Sequence, residues 1–318
     1  MIETLGGPLQ AGMFVEVFGA RQWIAIRGAD AANPAILLLH GPGAASSLLA
    51  PHFAPWERHF TVVHWDQPGA GATYAAASGP GEPLSLRWIA RDGLRVAEML
   101  RDALGGRRLV LLGWSGGSVL GLMMAKARPD LFCAYVGAGQ FVHWRRQEAL
   151  GYRLQLDQAR AAGDLQGLAE LEAIGPPPWA DISADVIRGV RASALTAAEE
   201  VALKDLPAIL AAPGRHRPEG LVPHDPRARS LAAYTELRAE LKAWDARRLG
   251  LRYELPLVFL QGELDLYSVG SEVEAFAAAV EAPLAGVEPI AGAGHGAVLM
   301  VEPVLEVLRR RLAPLRDA

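Results

Sequence analysis

"LVLLGWSGGSVLGLMMA", residues 109–125, decides the fold. A short apolar run leads into Gly113-Trp114-Ser115-Gly116-Gly117, and the chain then turns apolar again. The first run reads as a buried strand, the second as a helix ending before Pro129. A serine on a sharp strand-to-helix turn needs small neighbours, because strand and helix pass close together there; this is the sequence form of a nucleophile elbow. In a chain with 34 glycines the motif alone is weak, and its meaning rests on the elements around it.

Upstream, "MFVEVFGA" and "QWIAIRG" alternate apolar and polar residues and read as an antiparallel pair. "AILLL" (35–39) and "FTVVHWD" read as buried strands. Between them and the elbow, Leu86, Ile89, Val96, Leu100 and Leu104 recur at helical spacing, with Gly105 as a stop. "FCAYVGA" is a further strand. Strict alternation of strands and helices argues for an α/β architecture: a mostly parallel central sheet with helices on both faces. From His143 to Leu249 the pattern is helical: "HWRRQEALGYRLQLDQARAAG", "DLQGLAELEAIG", "TAAEEVALKDLPAIL" and "RARSLAAYTELRAELKAWDARRL" read as helices, and "GPPPW" and "APGRHRPEGLVPHDPR" between them read as loops. The alternation resumes with "LPLVFLQG", "VGSEVEAFAAAVEA", "AGVEPI" and "LEVLRRRL". The expected organisation is a core of residues 1–140 and 250–318 with a helical cap, 141–249, inserted in it.

A serine hydroxyl needs a base, and the base needs an orienting acid. In this architecture they should follow in the order serine, acid, histidine. Asp265 lies just beyond the strand "LPLVFLQG", with Glu263 as a competing acid nearer the strand. His295 lies in the Gly-rich "GAGHG" before the last helix. Ser115, Asp265 and His295 are therefore the expected catalytic residues. One oxyanion donor should be the amide of Gly116; the other should come from His40-Gly41-Pro42-Gly43 after "AILLL". Pro42 has no N–H, so Gly41 or Gly43 must supply it. His40 is expected to brace that loop, and Asp66 to hold a structural turn. Trp114, Trp144, Tyr152 and Trp179 are candidates to line a substrate pocket.

Composition narrows the classes. The chain has 318 residues, 51% hydrophobic and 21% charged, with a formal net charge of -4. The only notable basic run is Arg309-Arg310-Arg311, which reads as a solvated helix face, so no nucleic-acid partner is expected. No apolar run approaches the roughly 18–20 residues of a membrane span. Met1 to Ala11 does not read as a signal peptide, and the single cysteine, Cys133, reads as a buried thiol. A cytoplasmic protein without a membrane partner is the expectation.

"LLLHGPG", "VVHWDQPGAG", "LLGWSGGSVLGLMMA", "GELD" and "GAGH" together resemble the α/β-hydrolase superfamily, and within it the proline iminopeptidase group with its HGGPG-like loop and DQRGxG-like turn. The resemblance covers the two sheet segments, roughly two-thirds of the chain. It implies the α/β-hydrolase fold and a Ser-His-Asp hydrolase with no metal or cofactor, working through an acyl-enzyme. Ser115 would be nucleophile, His295 general base and acid, Asp265 its orienting partner. The loop here is one glycine short of HGGPG, Gln67-Pro68 stands where the group has Gln-Arg, and Trp114 precedes rather than follows the serine. Such enzymes hold a substrate amine with cap carboxylates, for which Glu148, Asp157, Glu199 and Glu200 are available. The expected partner is a small-molecule or short-peptide substrate. An iminopeptidase-like aminopeptidase leads, with a carboxylesterase as alternative and a non-catalytic hydrolase-like binding protein behind them. Epoxide hydrolases and haloalkane dehalogenases, which resemble this fold, use Asp at the position of Ser115.

Overall fold

The two alternating N-terminal segments pair as antiparallel strands β1 (Leu9–Val17) and β2 (Ala20–Gly28), with Val17 opposite Ala20. The connection is a two-residue turn in which Phe18 and Gly19 both take positive φ, 49° and 84°, the backbone that a tight hairpin requires. Six further strands follow: β3 (Ala35–Leu39), β4 (Thr61–Trp65), β5 (Leu109–Trp114), β6 (Phe132–Ala138), β7 (Leu257–Gly262) and β8 (Ala285–Ile290). They form one sheet in the order β1-β2-β4-β3-β5-β6-β7-β8. All pairs from β4 to β8 are parallel. This computed structural model describes residues 7–77, 82–211, 214, 216–219 and 225–313. The start of the segment read for a leader, and parts of the loop read at 212–227, lie outside them.

The central strands are apolar throughout because both faces are covered. Leu37, Leu39, Leu109, Leu111, Leu257 and Phe259 point into the larger core. Their neighbours Ile36, Leu38, Val110, Leu112, Val258 and Leu260 point into the other. Helices α1 (Gly71–Ala75), α2 (Leu86–Ala103) and α3 (Gly116–Ala127) precede β6. Ser85 caps α2 by accepting from the Trp88 amide, and the five apolar residues expected to face inward are all buried.

Between β6 and β7 the described residues form helices α4 (Trp144–Ala162), α5 (Leu165–Ile174), α6 (Ile182–Ala192), α7 (Ala197–Ala202), α8 (Leu206–Ala211) and α9 (Pro226–Lys242). Helix α6 is absent from the sequence reading, and its burial explains why. It buries Ala184, Asp185, Arg188 and Ala192, while Val186 and Val190 are exposed, so polarity misstates its inner face. The helix expected through "TAAEEVALKDLPAIL" is split into α7 and α8 by a turn at 203–205. After β7 come α10 (Gly270–Ala279) and α11 (Val301–Leu312). No helix among the described residues is long and apolar enough to cross a membrane.

Candidate active site

Ser115 stands between the end of β5 and the start of α3, with φ 55° and ψ -126°. Positive φ in a residue with a side chain is strained, and such strain gathers at functional turns. The glycines around it are needed for space. A Cβ on Gly113 would come within 2.6 Å of the Gly117 carbonyl oxygen, and one on Gly117 would collide with the Leu39 carbonyl at the end of β3. The Ser115 amide donates to Ala138 O at 2.9 Å, which anchors the turn to β6 and takes that N–H out of any oxyanion site.

The other two residues converge on this turn from 150 or more positions downstream. Asp265 follows β7 by three residues and is buried. One of its carboxylate oxygens accepts from the amides of Tyr267 (2.7 Å) and Ser268 (2.9 Å). The other accepts from the Ser268 hydroxyl (2.6 Å) and lies 3.0 Å from His295 Nδ1. His295 Nε2 lies 2.8 Å from Ser115 Oγ. With Nδ1–H directed at a carboxylate, Nε2 is left to accept the serine proton. Burial works to raise the Asp265 carboxyl, but the neighbouring His295 and the hydrogen bonds from His295 and Ser268 outweigh it and hold it at about 2. Glu263, the competing acid, is exposed, with its carboxylate on the Gly292 amide at 3.2 Å.

The loop after β3 is held by reciprocal bonds. The His40 amide donates to Gln67 Oε1 (2.9 Å) and Gln67 Nε2 donates to His40 O (3.2 Å). His40 Nε2 accepts from the Gln67 amide at 3.2 Å, so the ring proton sits on Nδ1 and is given to Gly41 O at 2.7 Å. Burial lowers the His40 pKa, and the neutral ring is a brace. A Cβ on Gly41 would lie 3.7 Å from the Gly116 nitrogen and 4.0 Å from Ser115 Oγ, whereas one on Gly43 would strike the Arg229–Ser230 backbone of α9. Of the two expected oxyanion glycines, Gly41 therefore faces the serine and Gly43 faces the helical segment. Asp66 accepts from Ser47 and from the Ala72 amide, the structural turn expected of it.

The sequence profile of the alpha/beta hydrolase family matches residues 36–310, which spans every strand from β4 to β8, most of β3, and all three of Ser115, Asp265 and His295. The chain belongs to the alpha/beta hydrolase family. It is 32% identical over 169 residues, 52% of each chain, to a probable aminopeptidase, YbaC, of Bacillus subtilis (strain 168). It is 37% identical over 108 residues, 34% of this chain and 32% of the other, to a probable proline iminopeptidase of Streptomyces coelicolor. The matched regions thus span about half and about one third of these relatives. Among solved structures, the proline iminopeptidase-related protein TTHA1809 of Thermus thermophilus superposes with a TM-score of 0.65 at 21% identity, over 97% of this chain and 99% of that one. That likeness is one of fold.

In this alpha/beta hydrolase the helical segment between β6 and β7 supplies the rest of the surroundings. Trp114 donates to His295 O at 3.3 Å. Trp144 stacks on Phe141 at 4.2 Å, and Phe141 and Tyr267 lie against the His295 ring at 6.0 and 4.8 Å. Tyr152 and Trp179, expected to line a pocket, instead form a small separate core with Ala159, Leu171 and Ala184. Their polar ends are taken up by backbone carbonyls, Tyr152 by Leu171 and Trp179 by Ile174 and Gly175. An apolar cleft beside Gly116 and Pro42 is walled by Leu84, Leu86, Leu120, Leu237 and Leu241.

The four acids named for amine binding separate clearly. Asp157 and Glu200 are exposed. Glu148 is buried and pairs with Lys242, which also pairs with Asp185; Arg238 pairs with Asp185 in turn. Glu199, fully buried, closes a capping box with Thr196 and accepts from the Gly294 amide at 2.9 Å. Ser268, Tyr267 and Phe141 escaped the sequence reading; only their positions close to the acid and at the end of β6 could have pointed to them. Among the described residues no group of three or more His, Cys, Asp or Glu is placed to hold a metal ion.

Proposed function

We propose that this chain is a serine hydrolase in which Ser115 is the nucleophile, His295 the general base and acid, and Asp265 the residue that orients and charges the histidine. The observation that carries this is the continuous line from Ser115 Oγ to His295 Nε2 (2.8 Å) and from His295 Nδ1 to Asp265 (3.0 Å). His295 takes the serine proton as Oγ bonds to the substrate carbonyl carbon. The resulting oxyanion lies at the N-terminus of α3, with the amides of Gly116 and Gly41 as its donors. Collapse expels the leaving group, protonated by His295, and leaves an acyl-serine. Water, deprotonated by the same histidine, attacks that ester and frees Ser115. Residues 141–249 act as a cap over these steps.

The substrate is a small amide or short peptide from which an N-terminal residue, preferably proline, is released. The printed names of the two curated relatives support this reading, as does a buried Glu148 oxygen that has no hydrogen-bond partner. A carboxylesterase is the second reading, favoured by the pairing of Glu148 and Asp185 with Lys242 and Arg238, which leaves that group no excess negative charge for an amine. A paired assay on a prolyl anilide and a short-chain aryl ester separates them. Anilide turnover that requires the free amine establishes the peptidase; ester turnover alone establishes the esterase. Fluorophosphonate should label wild type and not Ser115→Ala. Absence of label on wild type would refute both and leave a binding protein.

A further inference from the structure

We propose that Arg188 is a positioning residue for hydrolysis: from helix α6 of the cap, its guanidinium holds the turn that carries Asp265 and the aromatic ring that backs His295. The inference rests on the triad reading above. Arg188 is 2% exposed, and no carboxylate among the described residues is within ion-pair distance of it. A buried cation without an anion is costly unless its N–H groups find acceptors. The acceptors here are informative and all meet one nitrogen, while the buried Nε has none: Arg188 Nη2 donates to Leu266 O at 2.9 Å and Tyr267 O at 3.2 Å, and reaches Gln147 O at 3.4 Å. Leu266 and Tyr267 are the two residues after Asp265, and the Tyr267 amide is one of the donors to its carboxylate. The same guanidinium lies over the Tyr267 ring at 4.6 Å, and that ring meets His295 edge-on at 4.8 Å. Both the acid and the base of the triad are thus supported through one side chain of the cap.

Two further features fit this role. A Cβ at Gly151 on α4 would collide with both Arg188 and the Leu266 carbonyl, so the glycine is the space through which the clamp passes. Glu199 makes the matching contact on the other loop, where its carboxylate accepts from Gly294, the residue before His295. The cap therefore grips the acid loop with a buried cation and the histidine loop with a buried anion. A cap fastened in this way acts through the placement of the triad, and its contribution falls on the chemical step more than on substrate binding.

The test compares wild type, Arg188→Lys and Arg188→Met. Lysine keeps the charge and can reach a carbonyl, but lacks the plane that covers Tyr267. With a short-chain aryl ester, kcat should fall about 3- to 10-fold in Arg188→Lys and about 10- to 100-fold in Arg188→Met, with KM changed less than about threefold, as expected when reacting groups are displaced slightly. The far-downfield proton resonance of the His295 Nδ1–H in the resting protein should weaken in the same order. This signal needs no turnover and is separate from substrate choice. Both readouts unchanged across the series would overturn the role. Should Arg188→Met not fold, Arg188→Lys against wild type decides by the same two readouts. A wild-type chain inert to both the ester and fluorophosphonate would overturn the triad itself, a result distinct from a flat Arg188 series.

Discussion

The sheet and the helical segment between β6 and β7 are held together by different forces. The central strands bury apolar side chains on both faces, and the loops at their ends carry Ser115, Asp265 and His295. Among its described residues the helical segment has an apolar cluster of five buried residues of its own. Its interior is closed by ions: Lys242 with Glu148 and Asp185, and Arg238 with Asp185. Burial of apolar area is non-directional and tolerant, whereas a buried ion group is stable only while every member is present. The site is therefore built on the robust half of the molecule and backed by the half most sensitive to a single lost partner.

The division can be broken most sharply at Asp265. Asp265→Asn should lower kcat by about 10,000-fold, because the histidine loses its tautomer and its counter-charge, while the melting temperature stays close to wild type. A fall below tenfold would remove the sheet loops from the chemistry. Next is Lys242→Met, which strands Glu148 in the interior and leaves Asp185 with Arg238 alone. It should cost about 3–5 kcal/mol in urea unfolding; a loss under about 1 kcal/mol would show that the segment does not depend on its ions. Gly117→Ala tests the sheet side, where the added methyl meets the Leu39 carbonyl. The expected cost is about 1–3 kcal/mol, and wild-type stability would count against the tight strand–helix approach.

The last test concerns acid. Burial, with Arg27, His216 and His40 adding to it, holds the His64 imidazole on β4 at about 3, against a hydrogen bond to the Ser46 backbone that works to raise it. Since the folded value lies below the unfolded value of 6.5, the unfolded chain binds the extra proton between them. Stability is full above about pH 6.5 and falls as pH drops toward 3, by up to about 1.4 kcal/mol per pH unit. His64→Gln should flatten that slope in urea titrations from pH 7 to 5; an unchanged slope would assign the acid response to other groups.

The elements that were legible in the sequence are those with one dominant force. Strands buried on both faces read as apolar runs, and α2 reads from Leu86, Ile89, Val96 and Leu100 because those residues do face the core. Ser115, Asp265 and His295 were legible through their order and their place after strands. Helix α6 was not legible: it turns Asp185 and Arg188 inward and Val190 outward, and a reading by polarity inverts it. For the same reason Tyr152 and Trp179 read as pocket aromatics, although they fill the interior of the helical segment.

The amino-acid sequence by itself determined the parallel sheet, the elbow at Ser115 and the three residues that meet there, because apolar period and glycine placement are local properties. Tertiary structure alone decided that Gly41 rather than Gly43 faces the serine. It alone brought Arg188 to the Asp265 turn and Glu199 to the loop before His295. Those contacts join residues 78 and 95 positions apart, and a charge buried against a distant backbone has the same sequence signature as one in water.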